Sequence, residues 1–257
     1  MRINPRYVFI ATCLLGTVAY GLVNSGGAVY KFEKGQKLKY VTTVISETDG
    51  GGGFIETKTE TVTEYTVLDV SEDGVRMRSK VLSEKTDSEV EHEMHSREGF
   101  TQEFLVSTLG MGSQFKIIDA ADAHVAEDDE VAKLVEPLFG LVLPGTDLVE
   151  GMTWDVTHTM KGGDSKMTVT YKVEGFETVD GIKLAVITSK GSGKGSATLR
   201  SSQGDIQADR RVKETAKYYF DIARGLVITA EKTAEISIFS DFGEFYSTRK
   251  TKQKLSD

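Results

Sequence analysis

Histidine is scarce in this chain, and its four occurrences set the first limits on chemistry. His92 and His95 stand three apart in His92-Glu93-Met94-His95. A zinc-protease pair needs histidines four apart on one helix face. On a strand an odd spacing sends the two rings to opposite sides, so no metal site is expected. His124 and His158 stand alone. A general base needs a group that positions it, and the sequence offers none for either. His158 alternates in step with Trp154 and is read as an interior or pocket histidine. Gly191-Ser192-Gly193-Lys194-Gly195-Ser196 has the composition of a phosphate loop but not its spacing. A strand pattern rather than a helix follows it, so no helix N-terminus would face a phosphate. That stretch is read as a turn. There is no G-x-S-x-G nucleophile elbow. Aspartate and glutamate are plentiful but fall mostly in turns and on alternating strand faces, so no carboxylate pair stands out for hydrolysis. The expectation is a protein with no cofactor and no enzymatic activity.

The chain of 257 residues is 39% hydrophobic and 27% charged, a globular composition. With 39 acidic against 31 basic residues its net charge is −8, which argues against nucleic acid as a partner. Residues 1–28 stand apart. Arg2 and Arg6 precede the apolar run Tyr7 to Val23, and Asn24 to Ala28 are small or polar. That layout marks a signal peptide, with Gly26 and Ala28 placed for a cut before Val29, or a retained N-terminal anchor. The 17-residue run is short for the ~20 apolar residues that span a bilayer. The chain is therefore expected to be exported, periplasmic or extracellular, with residues 29–257 forming one β domain. Cys13 is the only cysteine and lies inside the leader, so neither a disulfide nor a thiol nucleophile is expected beyond it.

The elements that would position any site are strands. Met152, Trp154, Val156, His158 and Met160 fall two apart. So do Met167, Val169, Tyr171 and Val173, and then Ile182, Leu184 and Val186. Gly162-Gly163-Asp164 and Asp180-Gly181 separate these runs and suit tight hairpins. The pattern predicts a three-stranded antiparallel meander. The same order occurs about 115 residues earlier, by the order-of-elements logic of duplicated folds. There Leu38 to Val44, Phe54 to Val70 and Val75 to Val81 are split by Asp49 to Gly53 and by Glu72-Asp73-Gly74. In the second of these runs Thr57, Thr59, Thr61 and Thr63 share one face, and the phase slips near Val62, as at a β-bulge.

Thr86 to Arg97, Phe100 to Ser107 and Gln114 to Ile118 are further strand candidates. Glu127 to Phe139 differs: Val131, Leu134, Val135 and Leu138 follow helical spacing behind four acidic residues, so a short covering helix is predicted. After the second meander, Ala197 to Gln203, Ile206 to Phe220, Leu226 to Phe239 and Glu244 to Leu255 read as four more hairpin-linked strands. In the last, Lys250, Lys252 and Lys254 share a face, either simply solvated or set against an anionic envelope surface. The fold class is mainly β: a curved antiparallel sheet or half-barrel of about a dozen strands, in two similar meander halves, with one short helix on its concave side.

Two segments carry a family resemblance. One is PGTDLVEGMTW, with Pro144, Gly145, Val149, Gly151 and Trp154; the other has Tyr219, Phe220, Asp221, Gly225 and Leu226. The chain resembles a family of uncharacterised exported bacterial envelope proteins over most of residues 30 to 250. In outline it is also similar to the periplasmic lipoprotein carriers, whose curved half-barrel wraps short helices and holds acyl chains. The resemblance implies a lipid or other apolar small molecule on the concave face, or else an envelope protein partner for a module without ligand. Trp154, Met160, Met167, Tyr171, Leu134 and Leu138 are the expected lining.

Overall fold

A computed structural model describes residues 27–50, 53–88, 96–119, 136–159, 166–201, 204–240 and 243–256; side chains at 136–137 and 197–207 are not described. Among the described residues twelve strands form one antiparallel sheet. They are β1 (Lys37–Gly50), β2 (Gly53–Ser71), β3 (Gly74–Ser88), β4 (Thr101–Val106), β5 (Met111–Asp119), the two-residue β6 (Glu136–Pro137), β7 (Thr153–Thr159), β8 (Lys166–Val179), β9 (Ile182–Ser201), β10 (Gly204–Asp221), β11 (Leu226–Ser240) and β12 (Gly243–Ser256). The order across the sheet is β6-β5-β4-β3-β2-β1-β12-β11-β10-β9-β8-β7. Two six-stranded meanders therefore run the same way across it, β7 to β12 and then β1 to β6, joined where β12 pairs with β1. The two expected meanders, β1 to β3 and β7 to β9, each open one of these halves.

Local chemistry explains the hairpins. Asp180 and Gly181 both have positive φ, 51° and 78°, the combination a two-residue hairpin needs to match strand twist. The expected phase slip near Val62 does not occur in β2. That strand pairs without a break with β1, so Thr57, Thr59, Thr61 and Tyr65 share one face, and the register shift opposite Val62 and Thr63 falls in β3 at Leu82.

Two sequence expectations are corrected. Gly191 to Gly195 is not a turn: it lies inside β9, bonded to β8 on one side and β10 on the other. A side chain at Gly191 would bring its Cβ to 3.0 Å from Val169 Cγ2. Glycine is there to let strands approach, not to turn the chain. The predicted helix ends differently too. Residues 136–137 are a strand and Leu138–Gly140 a 3-10 turn; residues 127–135, Leu134 included, lie outside the described ones. Thr86 to Ser88 simply extend β3, and residues 89–95, with both paired histidines, also lie outside, as does His124.

The curvature follows from what the link between β6 and β7 touches. Phe139 packs its ring 4.3 Å from Tyr40 of β1 and 5.2 Å from Tyr65 of β2. The next residue, Gly140, accepts hydrogen bonds from Tyr218 of β10 (2.8 Å) and Tyr171 of β8 (3.1 Å). From β2 to β8 is six strand spacings, about 29 Å on a flat sheet at ~4.8 Å each. Adjacent residues can meet both strands only because the sheet curls around them. The link and residues 28–32 thus fill one end of the trough as a packed base. Residue 139 pays for the position with φ 54°, ψ 14°, left-handed for a residue with a side chain.

Candidate functional site

The inner face is set by register. Trp154, Val156 and His158 of β7 stand opposite Tyr171, Val169 and Met167 of β8. The row continues through Ser189, Gly191 and Gly193 of β9 to Ala216, Glu214 and Val212 of β10, and on to Lys232, Ala234 and Ile236 of β11. Four of the six expected lining residues can be placed. Trp154, Tyr171 and Leu138 come together in the core at the base, while Met167, buried in the same cluster, stands four residues further along β8 opposite His158. The Trp154 ring stacks on Tyr171 at 5.3 Å, and its indole N–H donates to the Val142 carbonyl at 2.8 Å. Met160 and Leu134 lie outside the described residues. The link that these side chains hold is tied on its other side by Tyr30, whose hydroxyl donates to Leu141 O at 3.0 Å. Tyr40 closes the floor with a 2.7 Å bond to Val227 O.

Beyond the base the inner face changes character. Val44, Ile55, Val156, Ile236, Ile238 and Phe245 are half-buried there, in contrast to the buried residues around the link. Between them lies polar chemistry that sequence reading did not find. Glu214 is almost wholly buried and forms an ion pair with Lys232. His158 lies near enough to feel that carboxylate, but burial dominates and holds its imidazole below the usual pKa. It is accordingly neutral near pH 7, and its Nδ1 is buried without a hydrogen-bond partner. Ser189 Oγ is also buried; it lies close enough to the Tyr218 phenol to influence it, without the geometry of a full hydrogen bond. Burial likewise pushes the Tyr171 and Tyr218 phenols well above their ordinary range, so both are protonated donors. The sequence signal for this cluster is a charged residue at an inward position of an alternating strand, Glu214 between Val212 and Ala216.

A second depression, about 580 Å³, opens on the outer face where β1, β12, β11 and β10 meet. Lys217, Lys250 and Lys252 line it beside Glu231, Thr43 and Thr233. Lys252 pairs with Glu231 and Lys250 with Glu47, both at 2.8 Å. Among the described residues no cluster of histidine, cysteine or carboxylates has the form of a metal site, and no helix is long and apolar enough to cross a membrane.

No family model and no functionally described protein matches this sequence. Solved structures do. A lipovitellin structure, described for its lipid–protein interactions, superposes with a TM-score of 0.51 at 12% identity. The match covers 88% of this chain and 26% of that one, so the chain spans about a quarter of the lipovitellin chain. A Rh. blastica porin mutant matches with a TM-score of 0.25 at 10% identity, over 86% of this chain and 99% of its own. A DUF1329 family protein from Desulfovibrio piger matches with a TM-score of 0.19 at 10% identity, over 87% and 85%. The lipovitellin likeness is one of fold: a large open antiparallel sheet, as expected from the strand pattern.

Proposed function

We propose that the protein is a non-enzymatic binder that takes a lipid or other apolar ligand on the inner face of its sheet, above the packed base. The observation that carries this reading is the change along that face. Near the link, apolar side chains are fully packed; further along, Val44, Ile236, Ile238 and Phe245 are only partly buried, beside Met167 and Val212, which stay buried. A concave, mostly apolar surface with a few convergent polar groups is the usual form of a small-molecule site. The lipovitellin likeness supports it by fold alone. The basic–apolar–small layout of residues 1–28 supports action outside the cytoplasm, in the periplasm or beyond. The same layout and the resemblance stated above support membership of an exported envelope family.

A second reading, an envelope module with a filled interior that binds a protein partner, draws support from the base. Three of the four placed lining residues, Trp154, Tyr171 and Leu138, are taken up there in packing or bonding at the link. Native mass spectrometry and organic extraction of protein purified from its own host separate the two. Copurifying lipid, released on denaturation, is the expected result. Protein that carries no lipid and takes up no fluorescent fatty acid would favour the module.

A further inference from the structure

The outer face of β8, β9 and β10 carries an arrangement that folding alone disfavours. Lys166 of β8 is the register partner of Lys194 of β9, and Lys194 is the partner of Arg211 of β10. Three like charges thus stand in one row across adjacent strands, where directly opposed like charges destabilise a sheet. Lys190 lies four residues from Lys194 on the same face, and Lys213 stands opposite Ser192 between them. All five are exposed, and no ion pair is formed by Lys166, Lys190, Lys194 or Lys213 among the described residues. Acidic groups do border the patch: Glu235 opposes Lys213 from β11, and Asp209 lies two residues from Arg211. Toward β12 the basic character continues through the depression lined by Lys217, Lys250 and Lys252. In a chain of net charge −8, this face is the exception.

We propose that this outer face docks the protein onto an anionic lipid bilayer by electrostatics. The patch is a tile, not a track: three strands wide, about 10 Å, and four residues long, about 13 Å. A planar array of headgroups meets such a tile everywhere, whereas a linear polyanion would run off it onto the acidic remainder. Four of the five basic residues are lysines, flexible point charges suited to headgroups in no fixed position; arginine forks suit rigid bidentate targets. The inference stands independently of whether the trough holds a ligand.

Sedimentation of the full chain with phosphatidylcholine vesicles, with and without phosphatidylglycerol, tests it. Binding that requires phosphatidylglycerol and falls with added salt is expected. The triple variant Lys166→Glu, Lys194→Glu, Arg211→Glu should lose on the order of 100-fold in that component, since each basic residue near an anionic surface contributes roughly fivefold. Lys58→Glu with Lys80→Glu, on the outer face of the other meander, should leave it unchanged. Any binding to neutral vesicles reports the apolar N-terminal run and is subtracted. Absence of the phosphatidylglycerol-dependent component overturns the proposal, as does its persistence in the triple variant. Capture by heparin without vesicle binding overturns it in favour of a soluble polyanion. Should the triple variant misfold, Lys166→Gln with Lys194→Gln decides: a loss of roughly 25-fold supports docking, and none refutes it.

Discussion

Phe139 is the residue on which the base turns, and truncating it makes a quantitative test. Its ring is 8% exposed and sits 4.3 Å from Tyr40, 5.2 Å from Tyr65 and 6.3 Å from Tyr30. Removing a buried phenyl ring costs about 3–5 kcal/mol when the cavity cannot collapse. Collapse is resisted here because Tyr40 and Tyr30 are each tethered through their hydroxyls. Phe139→Ala should therefore fall in that range. The backbone adds a second expectation. At φ 54° an alanine keeps the left-handed strain that phenylalanine bore, while glycine relieves about 1 kcal/mol of it. Glycine's extra entropy on unfolding returns about 0.5–1 kcal/mol. Phe139→Gly should thus be no less stable than Phe139→Ala, against the usual order. Urea unfolding followed by the fluorescence of Trp154, the sole tryptophan, measures both. A loss under about 1 kcal/mol for Phe139→Ala would mean that the ring is not part of a tethered core. Phe139→Gly worse than Phe139→Ala by more than about 1 kcal/mol would refute the left-handed backbone.

Gly140→Ala places a Cβ 3.1 Å from the Tyr218 hydroxyl at φ 77°, and should cost about 2–3 kcal/mol by urea unfolding, from strain plus the loosened Tyr218 hydrogen bond. Trp154→Phe strands the Val142 carbonyl and should cost about 1–3 kcal/mol by thermal unfolding, without change in the far-ultraviolet spectrum. His158 is lowered by burial, so its contribution is complete above the ordinary histidine pKa and is lost as pH falls through the depressed folded value; His158→Phe should flatten that limb of the stability–pH curve. For Asp221, burial alone would raise the carboxyl, but hydrogen bonds from the Arg224 backbone and guanidinium outweigh it and hold it low. Its contribution is present above the ordinary carboxylate pKa and lost as pH falls through the folded value, a step that Asp221→Asn should remove from the acid limb. The Ala28 amide donates to Thr146 O at 2.9 Å, and a Cβ on Gly27 would lie 2.2 Å from Gly145 O. If residues 1–26 are removed as the proposed leader, both residues should be spared, which moves the cut upstream of the one before Val29 that the sequence suggests; intact-mass measurement of the mature protein should then give an N-terminus at or before Gly27.

Strand alternation made most of this sheet legible in sequence, and it did so because each strand has one wet face. Met167, Val169, Tyr171 and Val173 are buried while Lys166, Thr168, Thr170 and Lys172 are exposed, so period two survives intact in the residue types. The same rule misled at Gly191 to Gly195. Glycine and serine there satisfy the composition of a turn, and only the neighbouring strands reveal that Val169 needs the missing side chain. The link was the harder case. Leu138, Leu141 and Val142 carry helical spacing, yet they are apolar because they are surrounded, by β1 and β2 on one side and β8 and β10 on the other. A segment buried on all sides has no face for a period to report. Its tethers come from Tyr30, Tyr171 and Tyr218, up to 111 residues away in the chain, and no local pattern encodes such partners. The Glu214–Lys232 pair differs: alternation with Val212 and Ala216 marks Glu214 as inward, but nothing local names its partner on β11. A curved sheet was expected from the strand pattern; what no local pattern carries is the segment around which it curls. Curvature decides both where the core ends and where the half-exposed inner surface begins.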